Sequence, residues 1–166
     1  MGSEMCIRDR LLTAPGKGIP NIVYGINSKE LDIENSKIVS AASCTTNCIA
    51  PILHVIESEY GISSGHLETV HSYTNDQNLI DNMHKKARRG RSAAINMVIT
   101  TTGAGKAVTK VIPSLEGKLT ANAVRVPTPN VSLAILKLKL KKKTSVNDIN
   151  NTMKKAALKG SLVNQI

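Results

Sequence analysis

The sequence predicts a mixed fold, α/β in its first part and α+β in the remainder, in which strands and helices alternate. After Asn47, apolar residues recur at helical spacing and predict a helix over residues 46–60. Residues 136–141 alternate leucine with lysine, the period-two pattern of an antiparallel strand with one buried face and one solvated face. Short runs at 38–41 and 67–71 predict two further strands.

Further strand and turn signals follow in chain order. In the first part we expect a strand end at 11–14, a turn at 15–18 and a short strand at 22–24. Pro51 lies inside the predicted helix, where its missing N–H should remove one hydrogen bond and bend the helix. Residues 1–10, which include Cys6, carry no clear period, and we interpret them as a non-native segment and leave them out of the fold prediction.

The C-terminal part carries its own signals. Residues 118–126 predict a strand. Ser145 and Asp148 have the spacing of a capping box, with Asp in place of Glu, at the start of a helix. Its apolar stripe continues through Ile149, Met153 and Ala156.

Composition limits the possible classes of protein. The 166 residues suffice for one core, which must rest on aliphatic side chains because there are three Tyr, no Phe and no Trp. No apolar run approaches the roughly 20 residues of a membrane span, and we expect no membrane association. The three cysteines lack zinc-type spacing, which predicts neither a disulfide framework nor a metal site and favours a reducing, cytoplasmic setting.

The net charge of +10 favours an anionic partner, either phosphorylated metabolites or nucleic acid. The basic run at residues 88–91 has no aromatic residues between its arginines on which bases could stack. We therefore expect no specific nucleic-acid partner.

The segment Ser43-Cys44-Thr45-Thr46-Asn47-Cys48 opens the predicted helix. A thiol at a helix N-terminus lies at the positive end of the macrodipole, which favours the thiolate. His71 is the candidate partner that would activate it. The alternative, that Cys44 is a small buried hydrophobic residue, stays open at this point. Cys48 lies one turn further on, and we expect it to be a packed small residue.

The hexapeptide at 43–48 resembles the active-site segment of phosphorylating glyceraldehyde-3-phosphate dehydrogenases. Five more stretches resemble that family in the same order: residues 13–18, 71–77, 88–91, 101–106 and 125–130. The resemblance implies that residues 11–43 are the C-terminal part of an NAD(P)-binding domain, the tail of a Rossmann-type parallel sheet. It implies that residues 44–166 are a catalytic domain, truncated at its C-terminus, with a mostly antiparallel sheet and helices on one face.

The resemblance also implies a reaction. The family oxidises an aldehyde to an acyl phosphate through a cysteine thioester, with hydride transfer to NAD or NADP, in glycolysis and gluconeogenesis. Cys44 matches the nucleophile and His71 its activating histidine. The phosphate of glyceraldehyde 3-phosphate would be bound by Thr74, Asp76 and Arg125. Inorganic phosphate would be bound by Ser43, Thr45, Thr102 and Gly103, with Arg89 between the two sites.

The cofactor and the assembly are implied only in part. Thr13 keeps a hydroxyl where the family often has serine, so cofactor contact is expected there. No Gly-x-Gly-x-x-Gly fingerprint follows a strand, so the choice between NAD and NADP stays open and the isolated chain is expected to be inactive. The resemblance implies a homo-oligomer, a tetramer, with residues 78–91 as a subunit contact.

Two other functions remain open on sequence grounds. Erythrose-4-phosphate dehydrogenase is the close sibling, although Thr74 and the loop at 101–104 favour the glyceraldehyde enzyme. A non-catalytic module that binds anions or nucleic acid is supported only by the net charge.

Overall fold

The computed structural model describes residues 10–32 and 34–166, so nearly all of the segment interpreted as non-native, including Cys6, lies outside the described residues. The chain divides into two compact units. The first contains the described residues up to Ser63 together with Lys106–Gly117 and Leu140–Ile166, and the second contains Ser64–Gly105 and Lys118–Lys139.

The first unit contains a parallel pair of short strands, β1 (Arg10–Leu12) and β2 (Ile38–Ser40), which confirms the strands predicted there. In this pair Leu11 lies opposite Val39. The predicted strand at 22–24 is wrong: only Asn21 forms an isolated bridge, to Ser40.

Side-chain amides explain the missing strand at 22–24. The Asn27 side chain accepts a hydrogen bond from the Val23 N–H at 2.8 Å and donates one to the Asn21 carbonyl at 3.0 Å. The N–H groups of Ile26 and Asn27 both donate to the Val23 carbonyl, which closes a turn. The Asn27 side chain thus bonds to backbone groups that a neighbouring strand would otherwise pair with.

Three α-helices lie within the described residues: α1 (Cys44–Tyr60), α2 (Ala104–Val111) and α3 (Val146–Leu158). Three short 3₁₀ turns accompany them at Ser28–Glu30, Ala87–Gly90 and Pro113–Leu115. Helix α1 begins two residues earlier than predicted and continues through the buried Pro51. It ends at Gly61, whose φ of 67° lies in the left-handed region that glycine adopts readily.

The predicted capping box of α3 is confirmed. The Ser145 side chain accepts a hydrogen bond from the Asp148 N–H, and the Asp148 side chain accepts one from the Ser145 N–H. Hydrogen bonds from the Ser145 side chain and then from its backbone hold the pKa of Asp148 below its ordinary value. Helices α1 and α3 meet where the Tyr60 hydroxyl lies 2.8 Å from the Thr152 hydroxyl.

The second unit is built on a four-stranded sheet. Its strands are β3 (Ile62–Ser72), β4 (Val98–Thr101), β5 (Leu119–Val126) and β6 (Ser132–Leu140). They lie in the order β4-β5-β3-β6. Strand β4 is antiparallel to β5, whereas β3 and β5 are parallel from Gly65↔Leu119 to Ser72↔Val126.

Strand β6 runs antiparallel to β3. The Ser72 N–H donates to the Val131 carbonyl at one end of the pair, and Gly65 lies against Leu138 at the other. A Cβ on Gly65 would come within 2.7 Å of the end of the Leu138 side chain and 3.2 Å of the Lys137 carbonyl oxygen, so glycine leaves these two leucine and lysine positions room at this point of the sheet. Along β6 the leucines at 136, 138 and 140 are half-buried and the intervening lysines are exposed, as the alternation predicted. The prediction of a mostly antiparallel sheet is confirmed, with a parallel pair at its centre.

No helix within residues 10–32 and 34–166 is long and apolar enough to cross a bilayer. Those residues also contain no group of three or more His, Cys, Asp or Glu side chains arranged to hold a metal ion.

Candidate active site

The first unit presents Cys44 at the N-terminus of α1. Ser43 is the N-cap, and its side chain accepts a hydrogen bond from the Thr46 N–H at 3.0 Å. The Asn47 amide donates to the carbonyls of Ala41 and Ser43, which ties the first turn back to the preceding loop. Cys44 is exposed and not disulfide-bonded. Its predicted place at the start of the helix is confirmed, and the alternative of a buried hydrophobic residue is wrong.

Cys48 was expected to be packed, and that expectation is wrong. It is exposed, one helical turn after Cys44. The buried face of α1 begins at Ile49 and Ala50 and continues through Leu53 and Ile56. Pro51 and Val55, three and seven residues after Cys48, share its side of the helix and are buried, so the exposure of Cys48 is limited to the start of α1.

The loop into α1 contains an unusual backbone conformation. Ala42, buried between β2 and the helix, has a φ of 58°, in the left-handed region that non-glycine residues seldom adopt. Such conformations persist only where the surrounding structure holds them, and they concentrate at functional sites. Here the conformation turns the chain sharply between β2 and the Ser43 cap, directly before Cys44.

We expect Ala42→Val to destabilise the complete protein by roughly 1–3 kcal/mol, because a β-branched residue disfavours a positive φ and the site is closely packed. Ala42→Gly should stay near the parent, since glycine adopts this conformation without strain. Urea unfolding of both variants measures the difference. Equal stability of the two variants would show that the conformation at position 42 costs nothing.

In the second unit, His71 and Arg125 lie directly opposite each other near the ends of the parallel strands β3 and β5. One guanidinium nitrogen of Arg125, Nη1, lies 2.6 Å from Nδ1 of His71 and donates to the Ser72 carbonyl at 2.9 Å. The same Nδ1 lies 2.7 Å from the Ser72 carbonyl oxygen. The two side chains predicted to act on one substrate are therefore in direct contact.

A second cluster surrounds Asp76, on the loop after β3. Asp76 forms an ion pair with Arg89, whose side chain is only 11% exposed. The Arg89 Nε donates to the Thr100 hydroxyl at 3.0 Å and its Nη2 to the Thr101 carbonyl at 3.2 Å. Arg89 therefore joins the loop of Asp76 to strand β4.

His84 belongs to the same cluster, although no sequence signal marked it. Its Nε2 lies 3.8 Å from the Asp76 carboxylate, and its side chain is mostly buried. The contact brings together residues of one loop that carry no shared spacing or motif. Only the folded loop could reveal it.

The remaining predicted residues are placed as follows. Thr74 is exposed on the loop after β3. Thr102 precedes α2, and its hydroxyl accepts from the Ala104 N–H at 3.2 Å, while the neighbouring Gly103 is exposed. Thr13 is exposed directly after β1, and Thr45 is partly buried in the first turn of α1. Residues 13, 43, 44 and 45 belong to the first unit, and residues 71, 74, 76, 89, 102, 103 and 125 to the second.

An exposed thiol at a capped helix N-terminus and a histidine at the end of a sheet strand are the parts that cysteine-dependent enzymes use. The model of the family described as "Glyceraldehyde 3-phosphate dehydrogenase, C-terminal domain" matches residues 43–166. The chain belongs to that family.

Curated relatives agree with this assignment. The chain is 59% identical to the "Glyceraldehyde-3-phosphate dehydrogenase-like protein" of Pseudomonas aeruginosa (strain UCBPP-PA14), over 94% of this chain and 34% of the relative. It is 51% identical to the chloroplastic "Glyceraldehyde-3-phosphate dehydrogenase A" of Scenedesmus vacuolatus, over 92% and 48%. It is 50% identical to "Glyceraldehyde-3-phosphate dehydrogenase 2" of Bacillus subtilis (strain 168), over 89% and 44%. The chain thus spans between a third and a half of the length of these relatives.

Proposed function

We propose that the complete protein is a phosphorylating glyceraldehyde-3-phosphate dehydrogenase and that this chain supplies its nucleophile and its anion-binding residues. The observation that carries the proposal is the exposed Cys44 at the capped N-terminus of α1 in a member of this family. The helix N-terminus favours a thiolate there, as a nucleophile near neutral pH requires.

In the first step the Cys44 sulfur attacks the aldehyde carbon. A C–S bond forms, the π electrons of the carbonyl move to oxygen, and a hemithioacetal results. His71 takes the thiol proton and returns it to the oxygen. When Nδ1 of His71 donates to the Ser72 carbonyl, Nε2 is left as the proton acceptor that this step needs.

One described residue, Thr13, fits a cofactor contact. It lies immediately after β1, at the carboxyl end of a parallel strand pair, where dinucleotides bind in open α/β sheets. Its hydroxyl is exposed and could donate to the cofactor or accept from it. Acceptance of the hydride is the chemistry that a bound NAD or NADP would supply. His71 would take the hydroxyl proton of the hemithioacetal at the same stage, so that the thioester remains.

In the last step an oxygen of inorganic phosphate attacks the thioester carbon. The new C–O bond replaces the C–S bond, the acyl phosphate leaves, and the Cys44 thiolate is restored. Hydroxyls and backbone N–H groups suit the attacking anion. We assign that site to Ser43, Thr45, Thr102 and Gly103.

Arg125 and Thr74 would bind the phosphate of the aldehyde, because a guanidinium and a hydroxyl both donate to phosphate oxygens. Asp76 carries a negative charge that would repel that phosphate. Its ion pair with Arg89 supports a different role for Asp76, which is to position the Arg89 side chain. Arg89 would then bind the phosphate of the aldehyde and inorganic phosphate.

To test the assignment, NADH or NADPH formation by the complete protein is measured with glyceraldehyde 3-phosphate and with unphosphorylated glyceraldehyde. Arg125→Ala should lower kcat/KM for the phosphorylated aldehyde by about 10- to 100-fold, the loss of one charge-assisted contact. The value for glyceraldehyde, which has no phosphate for Arg125 to bind, should not fall. An equal loss for both aldehydes would show that Arg125 does not bind the phosphate.

We further propose a homotetramer in the cytoplasm. The segment 78–91 presents apolar side chains to the surface, Ile80 at 74% exposed and Met83 at 95%. Exposed apolar side chains that lie close together mark protein contacts. Sedimentation of the complete protein tests the assembly, and a monomer at micromolar concentration would contradict it. Ile80→Lys should weaken the tetramer, whereas Ile99→Lys, an exposed apolar residue outside that segment, serves as the matched control.

A further inference from the structure

One ring nitrogen of His71 lies beside a hydrogen-bond donor and a hydrogen-bond acceptor, and it cannot bond to both. The Nδ1 atom of His71 faces two groups at once, the Arg125 Nη1 at 2.6 Å and the Ser72 carbonyl oxygen at 2.7 Å. A guanidinium can only donate and a carbonyl can only accept. In a neutral imidazole, a given ring nitrogen either carries the proton or accepts one, so Nδ1 can satisfy only one of these neighbours.

Each neighbour therefore favours a different tautomer of His71. Arg125 favours the form with a bare Nδ1 and the proton on Nε2. The Ser72 carbonyl favours the form with the proton on Nδ1, which leaves Nε2 bare. Only the second form can take a proton from a thiol through Nε2.

We propose that Arg125 is a positioning residue that selects the tautomer of His71, and that a bound phosphate monoester reverses the selection. While Arg125 contacts Nδ1, the proton stays on Nε2. When a phosphate engages the guanidinium, Nδ1 donates to the Ser72 carbonyl and Nε2 becomes a proton acceptor. One proton leaves Nε2 to solvent and one from solvent joins Nδ1, so the ring stays neutral.

The inference rests on the proposed function, because it takes Arg125 as the phosphate ligand. It adds that the substrate's phosphate prepares the base as well as anchoring the substrate. An aldehyde that lacks the phosphate would then meet His71 chiefly in the form that cannot accept the thiol proton.

Nitrogen NMR of the complete protein with labelled histidines reads the tautomer directly, at a mildly alkaline pH that keeps imidazole neutral. His71→Asn identifies the His71 signal by its loss. The probe is glycerol 3-phosphate, a phosphate monoester without an aldehyde, and glycerol is its uncharged control. We expect the Nε2–H form to dominate without ligand, and the ratio of Nδ1–H to Nε2–H to rise about tenfold with glycerol 3-phosphate, the effect of one net hydrogen bond. Glycerol should leave the ratio unchanged.

Two arginine variants separate the causes. Arg125→Met should show the Nδ1–H form with and without the probe. Arg88→Met, an exposed arginine on the same unit, should behave as the parent. If Arg125→Met does not fold, the change in the tautomer ratio when glycerol 3-phosphate is added to the parent protein tests the inference by itself.

Three results would overturn the inference. The first is a predominance of Nδ1–H before any ligand is added. The second is an unchanged ratio of Nδ1–H to Nε2–H in the parent protein although calorimetry shows that it binds glycerol 3-phosphate. In that case, weaker binding of glycerol 3-phosphate by Arg125→Met would keep the proposed phosphate site and remove only the selection of the tautomer. The third is binding of glycerol 3-phosphate, measured by calorimetry, that Arg125→Met leaves unaltered. That result would remove Arg125 from the phosphate site and would overturn both the assignment of that site and the selection of the tautomer.

Discussion

The Cys44→Ser variant of the complete protein should lose dehydrogenase turnover by up to about 10⁶-fold, the size of loss seen when a catalytic nucleophile is removed. A serine hydroxyl is protonated near neutral pH and is a far weaker nucleophile than a thiolate. The substitution keeps the size of the side chain at an exposed position, so α1 and its Ser43 cap should be unaffected. Steady-state formation of NADH or NADPH measures the loss, and urea unfolding checks the fold.

Cys48→Ser is the matched control. It makes the same change at an exposed position one turn further along α1 and should leave turnover close to the parent's. Substantial turnover by Cys44→Ser would remove Cys44 from the role. A loss of similar size in Cys48→Ser would indicate that the assay reports a general effect on α1.

His71→Asn should lower turnover by roughly 10²–10⁴-fold, the contribution of a positioned general base. Asparagine keeps hydrogen-bonding capacity beside Ser72 and Arg125 but cannot take the thiol proton. The loss should be smaller than that of Cys44→Ser, because the helix N-terminus still favours the thiolate. The rate of Cys44 alkylation by iodoacetamide, measured beside turnover, separates activation of the thiol from later steps.

His66→Asn is the control for His71→Asn. His66 lies on the same strand, where its Nδ1 is 2.7 Å from the Thr120 hydroxyl, and the proposed mechanism gives it no part. It should retain near-parent turnover. If His71→Asn alkylates and turns over like the parent, the histidine does not activate the cysteine.

Local sequence patterns predicted most elements because their causes are local. Helical spacing after Asn47 located α1, and the Ser145–Asp148 spacing located the start of α3. The alternation in 136–141 identified the buried and exposed faces of β6. The short strand predicted at 22–24 failed because Asn27, from outside that run, takes its backbone partners.

The sequence by itself determined that a helix opens in the segment 43–48, since a helical period requires only neighbouring residues. The Ser43 cap and the exact start at Cys44 came from the folded structure. The resemblance to one family was also present in the sequence, in six ordered stretches. Only the tertiary structure decided that Arg125 contacts His71, 54 residues away, because that contact depends on the parallel register of β3 and β5. The association of Asp76 with Arg89 and His84 was likewise decided by the folded loop. Contacts of this kind depend on which strands pair and how a loop closes, and no short-range spacing in a single sequence encodes that choice.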